Sequence, residues 1–234
     1  MTDSVTYETR DGVSVLQIDD GKANALGPDV FRALHEGLDR AEKEGGAVLL
    51  AGRPGRFSAG FDLNVMRSGG PEAASELVEA GARFAIRLAR HPAPVVIACT
   101  GHALAMGAVL LLASDVRIGA SGDFKIGFNE VAISMTTPKF LMEFARERIS
   151  KRHLLRATVQ AEIYGPELAV DAGFLDRIAP PNQVVTEALA GAARLGQLPR
   201  GPFCATRARA REATLTAIER DLTADVSGAF GGRS

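Results

Sequence analysis

Hydrophobic and polar positions follow two periods along this chain of 234 residues. At the start the period is two. Residues 5–10 and 13–19 carry alternating or β-branched apolar residues on either side of Asp11-Gly12, a pair suited to a tight hairpin turn. This predicts two antiparallel strands. After the polar, glycine-containing stretch DDGKANALG, Pro28 suits a helix first turn, and Phe31, Leu34, Leu38 and Ala41 recur at steps of three and four. An amphipathic helix ending near Gly45-Gly46 follows from that spacing. Residues 47–51, AVLLA, form an uninterrupted apolar run bounded by glycines, the pattern of a strand covered on both faces.

Residues 52–71 are rich in Gly, Pro, Ser, Arg and Asn and read as a loop. Leu77, Ala80, Phe84, Ile86 and Leu88 then support a helix over 72–90, stopped by His91-Pro92-Ala93-Pro94. Strands are expected over 95–99 and near 115–118. Strands and helices alternating at this spacing predict an α/β fold with a largely parallel sheet. Beyond Thr136 the pattern is mostly helical, over 138–149, 153–159, 166–172 and 182–196, with a short strand at 175–179. A final Ala- and Arg-rich helix from Pro202 to about Ala229 carries Leu215, Ile218 and Leu222 at helical steps and ends in GGRS. That helix can pack on its own domain or on another subunit. No internal repeat or low-complexity linker interrupts the chain.

A chain of this length supports one main core. Its 27 basic and 28 acidic residues nearly cancel, so no electrostatic attraction for nucleic acid or an anionic membrane is expected. Cys99 and Cys204 lie far apart without a CxxC or a nearby His, and read as free thiols of a reducing cytoplasm. The polar, acid-containing N-terminus is no secretory signal, and no apolar run reaches the roughly 18 residues needed to span a bilayer.

Two stretches carry candidate chemistry. The first, residues 101–130, opens with small residues in ALAMG, continues as a buried apolar run and closes on Glu130 within FKIGFNE. The second is FSAGFDL at 57–63. Small residues in both allow a ligand close to the main chain, so that backbone N–H groups at two turns can converge on one oxygen. A helix starting at Gly107 would add the positive end of its dipole.

These stretches, with KANAL at 22–26, resemble the crotonase (enoyl-CoA hydratase/isomerase) superfamily in order and spacing over about residues 5 to 200. The resemblance implies a crotonase-like spiral of ββα units over a core domain at 1–196. It also implies a C-terminal helical layer, with a trimerisation segment at 197–234 and a homotrimer or dimer of trimers. The implied partner is an acyl-CoA thioester, with coenzyme A as part of the substrate and neither a separate cofactor nor a metal.

Residue by residue, the resemblance places two oxyanion-hole amides on Phe61 and Met106. Glycine is usual at the position of Met106, so its side chain must point away or narrow the acyl pocket. Lys22, Ala23, Leu26, Ala59, Asp62 and Leu63 match positions along the coenzyme A path, and Gly107 belongs to the oxyanion loop. Family hydratases use two glutamates; here Glu130 keeps the second, whereas the first falls on Val109. A valine cannot hold or activate water. One base suffices to move a proton from C2 to C4, and IGFNE resembles the Δ3,Δ2-enoyl-CoA isomerases of the family.

The implied function is double-bond isomerisation in fatty acid metabolism. A hydratase, another crotonase-type lyase or hydrolase, and a non-catalytic acyl-CoA-binding protein stand as alternatives. Met66, Leu77, Met135 and Phe140 are candidate acyl-pocket residues. His102 reads as a loop histidine bonded to local backbone, and Asp115 as a carboxylate serving backbone N–H groups at a turn. Ser58, Ser114 and Ser134 lack the His and acid of a hydrolase triad.

Overall fold

The computed structural model describes residues 4–230. The hairpin forms as its pattern demands. Strands β1 (Val5–Arg10) and β2 (Val13–Ile18) pair antiparallel across Asp11 and Gly12, whose φ angles of 50° and 74° suit that turn. After β3 (Ala25–Leu26) comes helix α1 (Pro28–Glu44), with proline in its first turn and left-handed Gly45 closing it through a bond to the Ala41 carbonyl. It buries Val30, Phe31, Leu34, Leu38 and Ala41. Strand β4 (Val48–Gly52) is buried throughout.

Residues 52–71 depart from the expected loop. They hold β5 (Gly55–Ser58), β6 (Gly60–Phe61) and helix α2 (Leu63–Ser68), and α3 (Gly70–Arg90) begins two residues earlier than the apolar spacing indicates. A two-residue strand shows no period. Asp62 caps α2 by accepting the Asn64 N–H.

Next come β7 (Val95–Cys99), β8 (Gly101–Leu104), α4 (Met106–Ala113), β9 (Val116–Ala120), β10 (Ile126–Gly127) and a 3₁₀ turn over Val131–Ile133. The helical half comprises α5 (Lys139–Arg148), α6 (Lys151–Thr158), α7 (Pro166–Ala172), α8 (Val184–Gly196) and α9 (Arg200–Phe230), with strand β11 (Arg177–Ala179) before α8.

The large sheet has the order β1-β2-β4-β7-β9-β11, parallel except for the first pair. A parallel sheet β10-β8-β5 stands beside it, and β3 pairs with β6. Chain order generates this arrangement. β4, β7 and β9 each enter the large sheet and the next strand enters the small one, before a helix returns the chain. The result is the expected spiral of ββα units.

Alternation along the large sheet separates two apolar layers. Val15, Leu49, Val96 and Ala98 meet Val184, Ala188 and Ala192 of α8. Leu16, Ile18, Leu50 and Ile97 face the main core with α1, α3, α4 and α5. Fully burying a side chain of this size contributes roughly 1.5–3 kcal/mol, and all eight residues of α4 are buried. Leu215, Ile218 and Leu222 of α9 join the same core, so the last helix packs on its own domain. Cys99 and Cys204 are both free thiols. Among the described residues no helix is long and apolar enough to cross a membrane.

Candidate active site

Three loops meet at the start of α4. The first is KANAL, where Ala23 O accepts the Ala59 N–H at 3.0 Å and Leu26 O accepts the Asp62 N–H at 3.1 Å. Asn24, fully buried at a φ of 53°, ties this loop to FSAGF. Its amide nitrogen donates to Ile18 O at 2.8 Å and to Phe57 O at 3.1 Å. Ser58 Oγ donates to Asn24 O at 2.8 Å and accepts the Gly60 N–H at 3.1 Å. Sequence reasoning overlooked both residues as organisers of the site. The available signal was a polar Asn enclosed by small apolar neighbours.

Gly60 has a φ of 96°, and a Cβ there would lie 2.8 Å from Ala105 Cβ and 3.2 Å from Met106 N. Only glycine lets the second loop approach the third so closely. Because Asp62 N–H points to β3 and neighbouring amides of a strand alternate in direction, the Phe61 N–H faces away from β3.

The third loop is ALAMG. Ala105 adopts φ 50° and ψ −122°, and its carbonyl accepts from Ala108 and Val109, opening α4. The amides of Met106 and Gly107 lie in the first helical turn, where an amide has no intrahelical acceptor, and Ala105 offers no side-chain cap. Both therefore sit at the positive end of the helix dipole. The Met106 side chain is buried and points to α3, its sulfur 3.3 Å from the place a Gly81 Cβ would take. It thus turns away from the cavity. Val109 is fully buried one turn further on.

Glu130 arrives from the opposite side. Gly127 pairs with Leu104 in the small sheet, and Ala105 N–H donates to Gly127 O at 3.0 Å, so the segment after β10 is fixed against the start of α4. The Glu130 carbonyl accepts from Ile133 and Met135, and its side chain is 7 % exposed. Neither Glu130 Oε2 nor Asn129 Oδ1 has a hydrogen-bond partner. Burial pushes the carboxyl pKa up from 4.5 to about 7, against the pull of local backbone hydrogen bonds.

A cavity of about 60 Å³ lies between these groups, lined by Ala59, Phe61, Ala105 and Glu130 together with Met66, Val78 and Met135. Met66 and Met135 stand where the sequence suggests. Leu77 and Phe140 do not, since both are buried in the core and Val78 presents the adjacent helix position.

The remaining candidates run from the surface along the β3–β6 pair. Lys22 is exposed and its carbonyl accepts from Arg53 Nε at 3.0 Å; Ala23 is half-buried; Leu63 is 44 % exposed on the cavity rim. Leu26 is fully buried, leaving its backbone to face Asp62, whose carboxylate is engaged as the α2 cap. Gly107 abuts Ser58.

His102 Nδ1 accepts the Lys125 N–H at 2.9 Å, and Asp115 Oδ2 accepts the Val95 N–H at 2.8 Å, both as local backbone roles require. Among the described residues no three His, Cys, Asp or Glu side chains converge as metal ligands. Two larger grooves, of about 530 and 570 Å³, flank α9. Neither contains the cluster of amides and carboxylate just described.

The repeated passage between large and small sheet, with a helix N-terminus and a buried carboxylate facing one cavity, places the protein in the crotonase class. The chain belongs to the enoyl-CoA hydratase/isomerase family, whose model matches residues 8–227. It is 41% identical to a Pseudomonas syringae enoyl-CoA hydratase/isomerase family protein of known structure, at a TM-score of 0.94 over 97% of this chain and 98% of that one. The structure of a Mycobacterium tuberculosis enoyl-CoA isomerase aligns at 39% identity and a TM-score of 0.91, over 98% of both chains. A putative enoyl-CoA hydratase of Thermus thermophilus is 32% identical over 74% of this chain and 69% of its own length.

Proposed function

We propose that the protein isomerises a 3-enoyl-CoA thioester to the conjugated 2-enoyl-CoA. The observation that carries this reading is the buried carboxylate of Glu130, which lines the cavity with Oε2 unpartnered, while position 109 of α4 is a buried valine. The substrate's thioester oxygen is received by the N–H groups of Phe61 and Met106. Glu130 takes the proton from C2, the electron pair delocalises over C2 to C4 and the thioester oxygen as a dienolate, and the same carboxyl returns the proton at C4. Electrons and protons balance within the substrate. A positioned base contributes roughly 10²–10⁴-fold, and a pKa near the working pH lets one group both take and return the proton.

Lys22, Ala23, Ala59, Asp62 and Leu63 form the proposed approach for coenzyme A, with Leu26 contributing backbone. Catalysis, rather than binding alone, is supported by Met106 turning away from the cavity and Glu130 lining it. The hydratase-named relative keeps water addition as the second reading, although Val109 offers such a water nothing to bind. Assembly as a homotrimer or dimer of trimers, in the cytoplasm, belongs to the same proposal. The apolar groove lined by Leu195, Leu198, Pro202 and Phe203 along α8 and α9 is its candidate contact.

The test follows conjugated-thioester absorbance after mixing the purified protein with 3-enoyl-CoA and, separately, 2-enoyl-CoA. Absorbance should rise quickly with the first and decay very slowly with the second. Rapid hydration without isomerisation would overturn the assignment.

A further inference from the structure

We infer that the site selects short acyl chains, because the Phe61 ring, seated in a slot over Gly81, is a rigid wall that ends the acyl pocket. The inference rests on the acyl-CoA reading above. Gly81 lies inside α3, where glycine is a poorer helix former than alanine, so its presence needs a local reason. A Cβ at Gly81 would stand 2.5 Å from Phe61 Cε1, 2.7 Å from Phe61 Cζ and 3.3 Å from Met106 Sδ. The missing side chain is the space the ring occupies.

The ring cannot retreat. Behind it lies Phe31 of α1, with centroids 6.3 Å apart, and Phe31 is itself backed by Phe84 of α3 at 5.8 Å. The buried Met106 side chain closes the same slot from α4. Val78 precedes Gly81 by one turn on the same face of α3 and lines the cavity, which puts the ring and Val78 in one wall. Met66 and Met135, which line the same cavity, are flexible side chains able to repack around a ligand. The ring, held on three sides, cannot do so.

The remaining space is about 60 Å³. A short acyl chain fits this small space; a longer one meets the ring.

The test is calorimetric binding of butyryl-, hexanoyl-, octanoyl- and dodecanoyl-CoA to the wild type, Phe61→Leu and Gly81→Ala. Saturated thioesters require no isomerisation. Wild-type affinity should peak at butyryl or hexanoyl and be about tenfold weaker for dodecanoyl, a difference of roughly 1.4 kcal/mol. Phe61→Leu keeps the amide, shortens the wall and should bring dodecanoyl close to hexanoyl. Gly81→Ala should push the ring inward and weaken hexanoyl more than butyryl; if that variant does not fold, Phe61→Leu decides alone. Affinity rising steadily to dodecanoyl in the wild type, or the same length profile in Phe61→Leu, would overturn the wall. Failure to bind any of the thioesters would instead overturn the acyl-CoA reading beneath it. Length selection without isomerisation would count against the reaction alone.

Discussion

The two ends of α4 are treated in opposite ways. At its C-terminus three successive carbonyls are met by arginines. Arg211 donates to Ala113 O at 2.6 Å and to Leu112 O at 2.8 Å, and Arg148 donates to Ser114 O at 2.8 Å. Asp115 takes both Val95 N–H and Arg207 Nη1. At its N-terminus the first amides lack a cap, Ala105 holds a conformation that favours glycine, and Glu130 Oε2 is buried without a partner. Positive charge near a helix C-terminus is stabilising; an unpartnered buried carboxylate is destabilising. One end contributes stability, and the other leaves polar groups open for a ligand.

Removing the open carboxylate tests the contrast most severely. Glu130→Gln should lower isomerisation by roughly 10²–10⁴-fold while raising stability at alkaline pH. Because the folded pKa is raised, Glu130's contribution is intact below the ordinary carboxylate range and is lost as pH rises through about 7. A rise from 4.5 to about 7, at about 1.4 kcal/mol per unit, places the gain from glutamine at roughly 3 kcal/mol above pH 8 and near zero at pH 4. Wild-type turnover should rise over the same pH interval as the base ionises. Urea unfolding at the two pH values and a pH–rate profile check both signs; equal stability of the two proteins at pH 8 would contradict the buried-charge argument.

The closed end should respond in the reverse sense. Arg211 is 2% exposed and also donates to both carboxylate oxygens of Glu147, at 3.0 and 3.1 Å. Arg211→Ala strands that carboxylate and two helix carbonyls, and should cost about 3–5 kcal/mol of unfolding free energy. The double variant Arg211→Met, Glu147→Leu removes the stranded charge and should recover much of this loss. If Arg211→Ala unfolds at the wild-type urea midpoint, the C-terminal cap has no energetic weight.

The two ends also differ in how far sequence revealed them. Long apolar periods gave α1, α3 and the large sheet, since a face of several turns leaves a repeated signal. Residues 52–71 gave none, because the β3–β6 ladder is two residues long and leans on Asn24 and Ser58 rather than on a pattern. Arg211 was illegible as a cap: it meets Ala113 across 98 positions of sequence, and an arginine in an Ala- and Arg-rich helix looks like any solvated one. At the open end, backbone donors carry no side-chain signature. Phe61 and Met106 stood out only through resemblance to a family, and so did Val109, whose meaning comes from the glutamate that family hydratases carry at that position. Leu77 was a candidate for the pocket and Val78 lines it instead; both are buried apolar positions of α3, so the apolar pattern does not tell which of them meets the cavity.

Two substitutions at one position separate amide from side chain at the open end. Proline is tolerated in a helix first turn, so Met106→Pro loses the N–H and the same buried side chain as alanine does, and the kcat of its folded fraction should fall roughly 10²–10³-fold. Met106→Ala keeps the amide and empties the space beside Gly81. It should cost about 2–5 kcal/mol of stability and leave kcat within a few-fold. Equal kinetic loss in both would assign the effect to the side chain.

The smallest expected effect concerns the backbone that holds those amides in place. Ala105 has φ 50° and ψ −122°, the first central position of a type II′ turn, which a Cβ disfavours. Its N–H and carbonyl are both engaged, by Gly127 O and by Ala108 and Val109, so surrounding bonds hold the conformation against its strain. Ala105→Gly relieves the Cβ clash but enlarges the freedom of the unfolded chain. Strain at such a residue is of order 1–3 kcal/mol, and the entropic loss on replacing alanine by glycine is about 0.4–1 kcal/mol. The difference leaves a net stabilisation of about 1 kcal/mol, readable as a rise of a few degrees in Tm. Because the open amides belong to the next two residues and keep their bonding environment, kcat should change little. A lower Tm in Ala105→Gly would mean that the alanine sits there without strain, and the asymmetry between the ends of α4 would then rest on the unpartnered polar groups alone.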